Sequence, residues 1–121
     1  MAAAKHQLEN LIVLVDYNKY QSFASTQEVC DLEPFHNKWT AFGFATREIE
    51  IKENSSTLTA LLSKTPFSSG KPSAIICHTK KGLGSPIMEN NLAWHHKSGI
   101  TSSDVDALAS HLGGGLSANE D

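Results

Sequence analysis

Five consecutive apolar residues, Leu11-Ile12-Val13-Leu14-Val15, constrain the fold of this chain more than any other stretch. They are mostly branched and show no polar alternation, which predicts a strand buried on both faces and hence one strand of a parallel sheet. Open α/β sheets take their ligands at the carboxyl ends of the strands. The segment that follows is Asp16-Tyr17-Asn18-Lys19-Tyr20-Gln21-Ser22. Its Asp, its Asn and its backbone carbonyls are oxygen donors of the kind a hard cation takes, and Mg²⁺ completes its octahedron with phosphate oxygens and water. The plain alternative is that Asp-x-Asn after a strand forms an ordinary turn, a conformation both residues favour.

Along the rest of the chain the periodicity changes several times. Residues Ala2 to Asn10 read as the last turns of a helix, because Ala, Lys, Gln, Leu and Glu all favour one. Asp31 is the expected N-cap of a second helix with Pro34 in its first turn; Leu32, Phe35, Trp39 and Phe42 recur at helical spacing, and Gly43 ends it. Ala45 to Ile51 read as a second strand. Ser55 or Ser56 is expected to cap a short helix carrying Leu58, Leu61 and Leu62, and Ser73–Cys77 to form a third strand. From Lys80 to Gly99 no period stands out, and long irregular segments inside small domains are usually functional. Thr101 and Asp104 make a capping-box-like pair for a last helix with Val105, Leu108 and Leu112, which stops at Gly113-Gly114-Gly115 before a frayed tail, 116–121. The pattern predicts an α/β fold, a partial doubly wound parallel sheet of about three strands with flanking helices. Leu11–Val15 has the character of a central strand with no upstream neighbour, and an exposed apolar edge invites pairing, so the chain reads as incomplete.

Composition narrows the function classes. At 121 residues, 40% hydrophobic and with a net charge of −3, the chain is one small domain without a broad basic surface, which argues against nucleic acid or an anionic membrane as partner. Cys30 and Cys77 allow one bridge at most and no disulfide framework; Cys77 lies in an apolar run and reads as a buried small hydrophobe. No apolar stretch approaches the ~20 residues of a membrane span, and the start is not a signal peptide. The default expectation is cytoplasmic.

Beyond Ala2–Gln21, four further blocks follow in order: Lys38-Trp39-Thr40-Ala41-Phe42-Gly43-Phe44, Lys71-Pro72-Ser73, His78-Thr79-Lys80-Lys81-Gly82-Leu83-Gly84-Ser85 and Met88-Glu89-Asn90-Asn91-Leu92-Ala93-Trp94-His95-His96-Lys97. Together they resemble transketolase, in the part of its diphosphate-binding domain that closes the thiamine-diphosphate motif, and they are most like the amino-terminal subunit of split, two-subunit transketolases. The likeness covers nearly the whole chain. It implies that residues 1–121 form the C-terminal part of such a domain. It further implies thiamine diphosphate and Mg²⁺ as cofactors, transfer of a two-carbon ketol unit between sugar phosphates, and a second subunit or a self-dimer. The cofactor would supply the carbanion chemistry, and the protein orientation, charge and proton handling.

Carried over by this resemblance, the Asn18 side-chain oxygen and the Tyr20 carbonyl hold Mg²⁺. Asn18, Lys81 and His95 contact the cofactor, and His95 lies near substrate as the catalytic residue. An ammonium beside glycines suits phosphate, and an imidazole near neutrality donates to phosphate or relays a proton. There are departures. Ser22-Phe23-Ala24 stands where the family commonly has Ile-Asp-Gly, and Glu48-Ile49-Glu50-Ile51-Lys52-Glu53 where it has Glu-Ile-Asp-Gly-His-Asp. The family's Gly-Asp-Gly, whose Asp supplies the other protein ligand, has no counterpart here, so the chain by itself is expected not to bind the cofactor. The alternative is a non-catalytic, transketolase-like remnant that acts as a binding or regulatory module.

Overall fold

A computed structural model describes residues 1–52 and 56–111. They fall into two compact units, one up to Thr79 and one from Lys80 onward. The first holds α1 (Ala2–Lys5), β1 (Ile12–Tyr17), α2 (Thr26–Val29), α3 (Phe35–Ala41), β2 (Ala45–Glu50), α4 (Ser56–Leu62) and β3 (Ser73–His78). The second holds a 3₁₀ turn, Leu92–Trp94, and α5 (Ser102–His111).

The three strands form one parallel sheet in the order β1-β3-β2, with Ile12 and Ala45 both opposite Ser73 and Tyr17 and Glu50 both opposite His78. The expected α/β parallel architecture is therefore present, but the positions of the strands differ from expectation. The apolar run at β3 occupies the centre: Ala74, Ile75 and Ile76 are fully buried and Cys77 nearly so. β1, expected to be buried on both faces, lies at an edge of this sheet, and Ile12 and Leu14 on one of its faces are 38% and 50% exposed. An all-apolar run shows that burial is tolerated; the order of strands decides which run receives it. β1 also runs further than its apolar core, so Asp16 and Tyr17 belong to the strand and not to the loop.

Tyr17 is the pivot between sheet and helix. Its ring is 4% exposed and lies 5.0 Å from Phe35; Phe35 meets Trp39 at 6.1 Å, and Trp39 meets Phe44 at 5.1 Å edge-on. This run of tilted and edge-to-face contacts, the arrangement aromatic pairs favour, lines α3 up against β2. Gly43 closes α3 with φ +91°, and a Cβ there would fall 2.6 Å from the Ala4 Cβ, so both backbone and space call for glycine.

Two local expectations are corrected. α1 is short, because Gln7 turns to φ +52° and the chain leaves helical geometry there. Asp31 does not cap α3: its carboxylate accepts from the Glu33 amide at 3.0 Å, and Pro34 occupies the N-cap position without a side-chain bond. Between the Asn18 turn and α3 the chain also forms α2, capped by a full capping box between Ser25 and Glu28. The Ser55 cap, Leu112, the glycine run and the tail lie outside the described residues.

In the second unit, Thr101 and Asp104 form the predicted capping box at the start of α5: the Asp104 carboxylate accepts from the Thr101 amide at 2.9 Å and the Thr101 hydroxyl accepts from the Asp104 amide at 3.2 Å. Lys97 donates to the same carboxylate at 2.7 Å and sits 3.8 Å over the Trp94 ring. With this cation and two Thr101 donors, Lys97 first among them, the Asp104 carboxyl titrates at about 2.

Candidate functional site: a turn after the edge strand and a lysine–histidine loop

Asn18 follows β1 directly. Its side-chain oxygen accepts from the Tyr20 amide at 2.9 Å, and Lys19 between them stands at φ +69°. A left-handed lysine costs about 1 kcal/mol, so the surrounding contacts must hold it there. Beyond it the chain forms a tight hairpin. Tyr20 bridges Ser25 through the Thr26 amide on the Lys19 carbonyl, 2.8 Å, and the Gln21 amide on the Ala24 carbonyl, 3.0 Å. Asn18 thus forms an Asx turn, as its residue type favours, and its amide oxygen has a second lone pair. Asp16, in contrast, spends its carboxylate on the Thr79 hydroxyl.

Two residues of this first unit were not singled out by sequence. Gln21 Nε2 is shielded from solvent and has no hydrogen-bond partner. A buried amide without an acceptor is costly and marks a place where a ligand or water belongs. Glu33 accepts from the Tyr17 hydroxyl at 2.9 Å and from the Phe35 amide at 2.9 Å. The Phe35 amide, then the Tyr17 hydroxyl, hold its carboxyl below the usual range, while burial and the Glu33 contact push the Tyr17 phenol up. Glu33 lies far along the chain from Tyr17, and no motif spacing connects the two.

Lys81 and His95 belong to the second unit. The Lys81 carbonyl accepts from the Asn90 amide at 2.9 Å, which closes a loop whose crossing point is Gly82. Gly82 has φ +73°, and a Cβ there would lie 2.5 Å from the Met88 carbonyl oxygen. Within this loop Glu89 takes Lys80, at 3.2 Å, and the Gly84 amide, at 3.4 Å. Of the two adjacent lysines it is Lys80, not Lys81, that the Glu89 carboxylate neutralises. His95 is half-buried, packs edge-on against His96 at 4.5 Å, and leaves Nδ1 shielded without a partner. Burial first, then the charges of Lys81 and His96, hold its imidazole below its ordinary pKa, so it is neutral at pH 7. The structure therefore brings Asn18 and Tyr20 together in one hairpin, and Lys81 and His95 together in one loop region.

The groups present fit a diphosphate and its cation in kind. Asn18 and Tyr20 offer neutral oxygens. Among the described residues no three His, Cys, Asp or Glu side chains gather as an acidic or thiolate metal cage. Lys81 offers a cation, and the orphan nitrogens of His95 and Gln21 need partners that the described protein atoms do not supply. No described helix is long and apolar enough to cross a membrane.

Comparison with known proteins agrees with the resemblance. The family described as transketolase, thiamine diphosphate binding domain, matches residues 1–118. An apulose-4-phosphate transketolase subunit of Actinobacillus succinogenes is 36% identical over 97 residues, 80% of this chain and 34% of that protein. The 6-deoxy-6-sulfo-D-fructose transketolase subunit SqwG of a Clostridium species is 38% identical over 96 residues, covering 79% of this chain and 34% of its own. The chain thus spans about a third of the length of these relatives. Among solved structures, the Pichia stipitis transketolase superposes with a TM-score of 0.75 at 21% identity, over 93% of this chain and 16% of that one. The Campylobacter jejuni transketolase gives 0.75 at 19%, again over 93% of this chain and over 17% of its own. At such identities these two likenesses concern the fold.

Proposed function

The chain belongs to the transketolase family through its thiamine-diphosphate-binding domain, and we propose that it is the C-terminal part of that domain in a transketolase-type enzyme completed by a partner subunit. The relatives named as subunits act on phosphorylated or sulfonated sugars by their names, which supports sugar phosphates as the substrate class. The proposed reaction moves a two-carbon ketol unit from one sugar phosphate to another, in the cytoplasm, in an assembly of two or more chains. Bound thiamine diphosphate supplies the carbanion-stabilising chemistry.

The observation that carries this proposal is the Asn18–Tyr20 turn. An amide oxygen and a main-chain carbonyl two residues apart sit at the carboxyl end of a parallel strand, where α/β sheets take their ligands. In the proposed site these two oxygens would hold Mg²⁺, which would offset the charge of a bound diphosphate. Lys81 neutralises diphosphate charge, and Gly82 next to it lets the loop cross against the Met88 backbone. His95, neutral and with Nδ1 in need of a partner, donates to a phosphate or substrate oxygen and exchanges a proton there.

Ser22-Phe23-Ala24 favours a second proposal. Phe23 is 84% exposed in the hairpin where the resemblance leads one to expect Ile-Asp-Gly, so a non-catalytic module that pairs with a complete homologue is the competing role. Co-expression with the second subunit of a split transketolase and a ketol-transfer assay at saturating Mg²⁺ and thiamine diphosphate separate the two. Cofactor-dependent turnover that Asn18→Ala abolishes supports the enzyme. A stable complex without turnover supports the module.

A further inference from the structure

We infer that Glu33 is a positioning residue for the Asn18–Tyr20 turn, because its one carboxylate ties down both chain neighbours of Asn18. This rests on Asn18 and Tyr20 being the oxygens that hold the cation. Tyr17, on one side of Asn18, donates its hydroxyl to Glu33 Oε1 at 2.9 Å. Lys19, on the other side, brings Nζ to 3.6 Å from the same oxygen and at the same time lies 3.4 Å over the Tyr17 ring. Three groups, phenol, ammonium and carboxylate, close a small ring around the peptide units that carry Asn18.

The carboxylate is itself fixed. Its other oxygen, Oε2, accepts from the Phe35 amide at 2.9 Å, the Glu33 amide donates to Asp31 at 3.0 Å, and the Phe35 ring covers the Tyr17 ring at 5.0 Å. The start of α3 is thereby fastened to the end of β1 across a separation that the sequence does not bridge. The main chain of Lys19 is held by Thr26, whose amide and hydroxyl both donate to its carbonyl, at 2.8 and 3.4 Å. Lys19 needs this, for it stands at φ +69° with no glycine to relieve it. Negative φ is the lower-energy state of a lysine released from Glu33 and the Tyr17 face, and a rotation to it changes the placement of the Tyr20 peptide relative to the Asn18 side chain. A cation held by two oxygens of one turn depends on that turn being set in advance.

The test uses the full chain labelled with ¹⁵N and reads two quantities by NMR. The first is hydrogen exchange at the Tyr20 amide, the donor to Asn18, beside the Ile75 and Ile76 amides of β3. Glu33→Ala is expected to speed exchange at Tyr20 at least ~10-fold while β3 keeps its rate, and Glu33→Gln, which retains an oxygen for the Tyr17 hydroxyl, to fall between. Unchanged exchange at Tyr20 in both variants, or an acceleration matched in β3, overturns the clamp. The second is paramagnetic broadening of the Asn18 and Tyr20 signals by MnCl₂ in the millimolar range. The half-broadening concentration is expected to rise at least ~3-fold in Glu33→Ala. Equal half-points in wild type and Glu33→Ala remove the positioning role. No broadening in the wild type means that these two oxygens take no divalent cation without the rest of the site, and Tyr20 exchange alone then decides whether Glu33 holds the turn.

Discussion

Residues Met1–Thr79 and the residues from Lys80 to His111 achieve order by different means, and the contrast bears on where chemistry can be placed. The first unit is built on β3, whose Ile75 and Ile76 are fully buried between two parallel neighbours, and on a run of aromatic rings from Tyr17 to Phe44. In the second, fixed points are polar and short-range: Glu89 with Lys80 and the Gly84 amide, Asn91 with the Ala93 amide, Asp104 with Lys97 and Thr101. A sheet can hold a strained turn such as Lys19 at its margin because its stability comes from elsewhere. A loop closed by carboxylates keeps its shape only while those groups stay charged. The proposed cation oxygens thus stand on the apolar framework and the proposed phosphate groups on the polar one.

The largest expected effect tests the apolar side of this contrast. Ile75→Ala removes buried volume at the centre of the sheet and is expected to cost ~2–5 kcal/mol in urea unfolding, whereas Leu14→Ala, at a half-exposed position on β1, costs less than ~1.5 kcal/mol. Similar losses from both would mean that β1 is as deeply packed as β3, and the distinction between centre and edge would fall.

That distinction also measures how much could be read without coordinates. Two apolar runs marked β1 and β3, and the Thr101–Asp104 spacing marked the start of α5, because hydrophobic patterning and capping are local properties. Strand order is not local, so Leu11–Val15 and Ser73–Cys77 looked alike although only the second is central. The α2 cap was available in Ser25-Thr26-Gln27-Glu28, a spacing with the same physical content as the one recognised at Thr101. In the site, Asn18, Tyr20, Lys81 and His95 came from resemblance, and the Asx turn at Asn18 was legible from residue type alone. Glu33 was not, since its partners Tyr17 and Lys19 reach it only through the packing of α3 on the sheet.

A second expected effect sharpens the contrast at the cation turn. In the assembled enzyme Asn18→Ala is expected to weaken Mg²⁺-dependent retention of thiamine diphosphate at least ~10-fold, and Tyr20→Phe to change it by less than ~3-fold, since only the main-chain oxygen of Tyr20 is used. Equilibrium dialysis at fixed Mg²⁺ reads both, and equal losses would remove the carbonyl from the ligand set.

The polar unit is tested by acid. Asp104 titrates at about 2, below its ordinary 3.8, so its contribution is complete above pH 4 and disappears as pH falls through about 2. Shifts of the Thr101 amide are expected to follow that midpoint, and Asp104→Asn to abolish the transition while the β3 amides stay as they were. A β3 signal that moves with Thr101 would mean the acid transition is global, and the two kinds of support would no longer be separable.

The smallest effect concerns the charge that the polar loop places beside His95. Three influences keep this imidazole below 6.5, in the order burial, Lys81 and His96. Removing the ammonium by Lys81→Met takes away the second and leaves the first, so the titration midpoint of the His95 ring protons rises but stays below the ordinary value. His96→Gln removes the third influence and moves the midpoint less, in the same direction. The sign follows from electrostatics: a neighbouring positive charge disfavours imidazolium, and its loss lets the ring protonate at higher pH. A midpoint that does not respond to Lys81→Met would mean that Lys81 and His95 share no common field. It would leave His95 neutral at pH 7 through burial alone, with no cation beside it to share a phosphate.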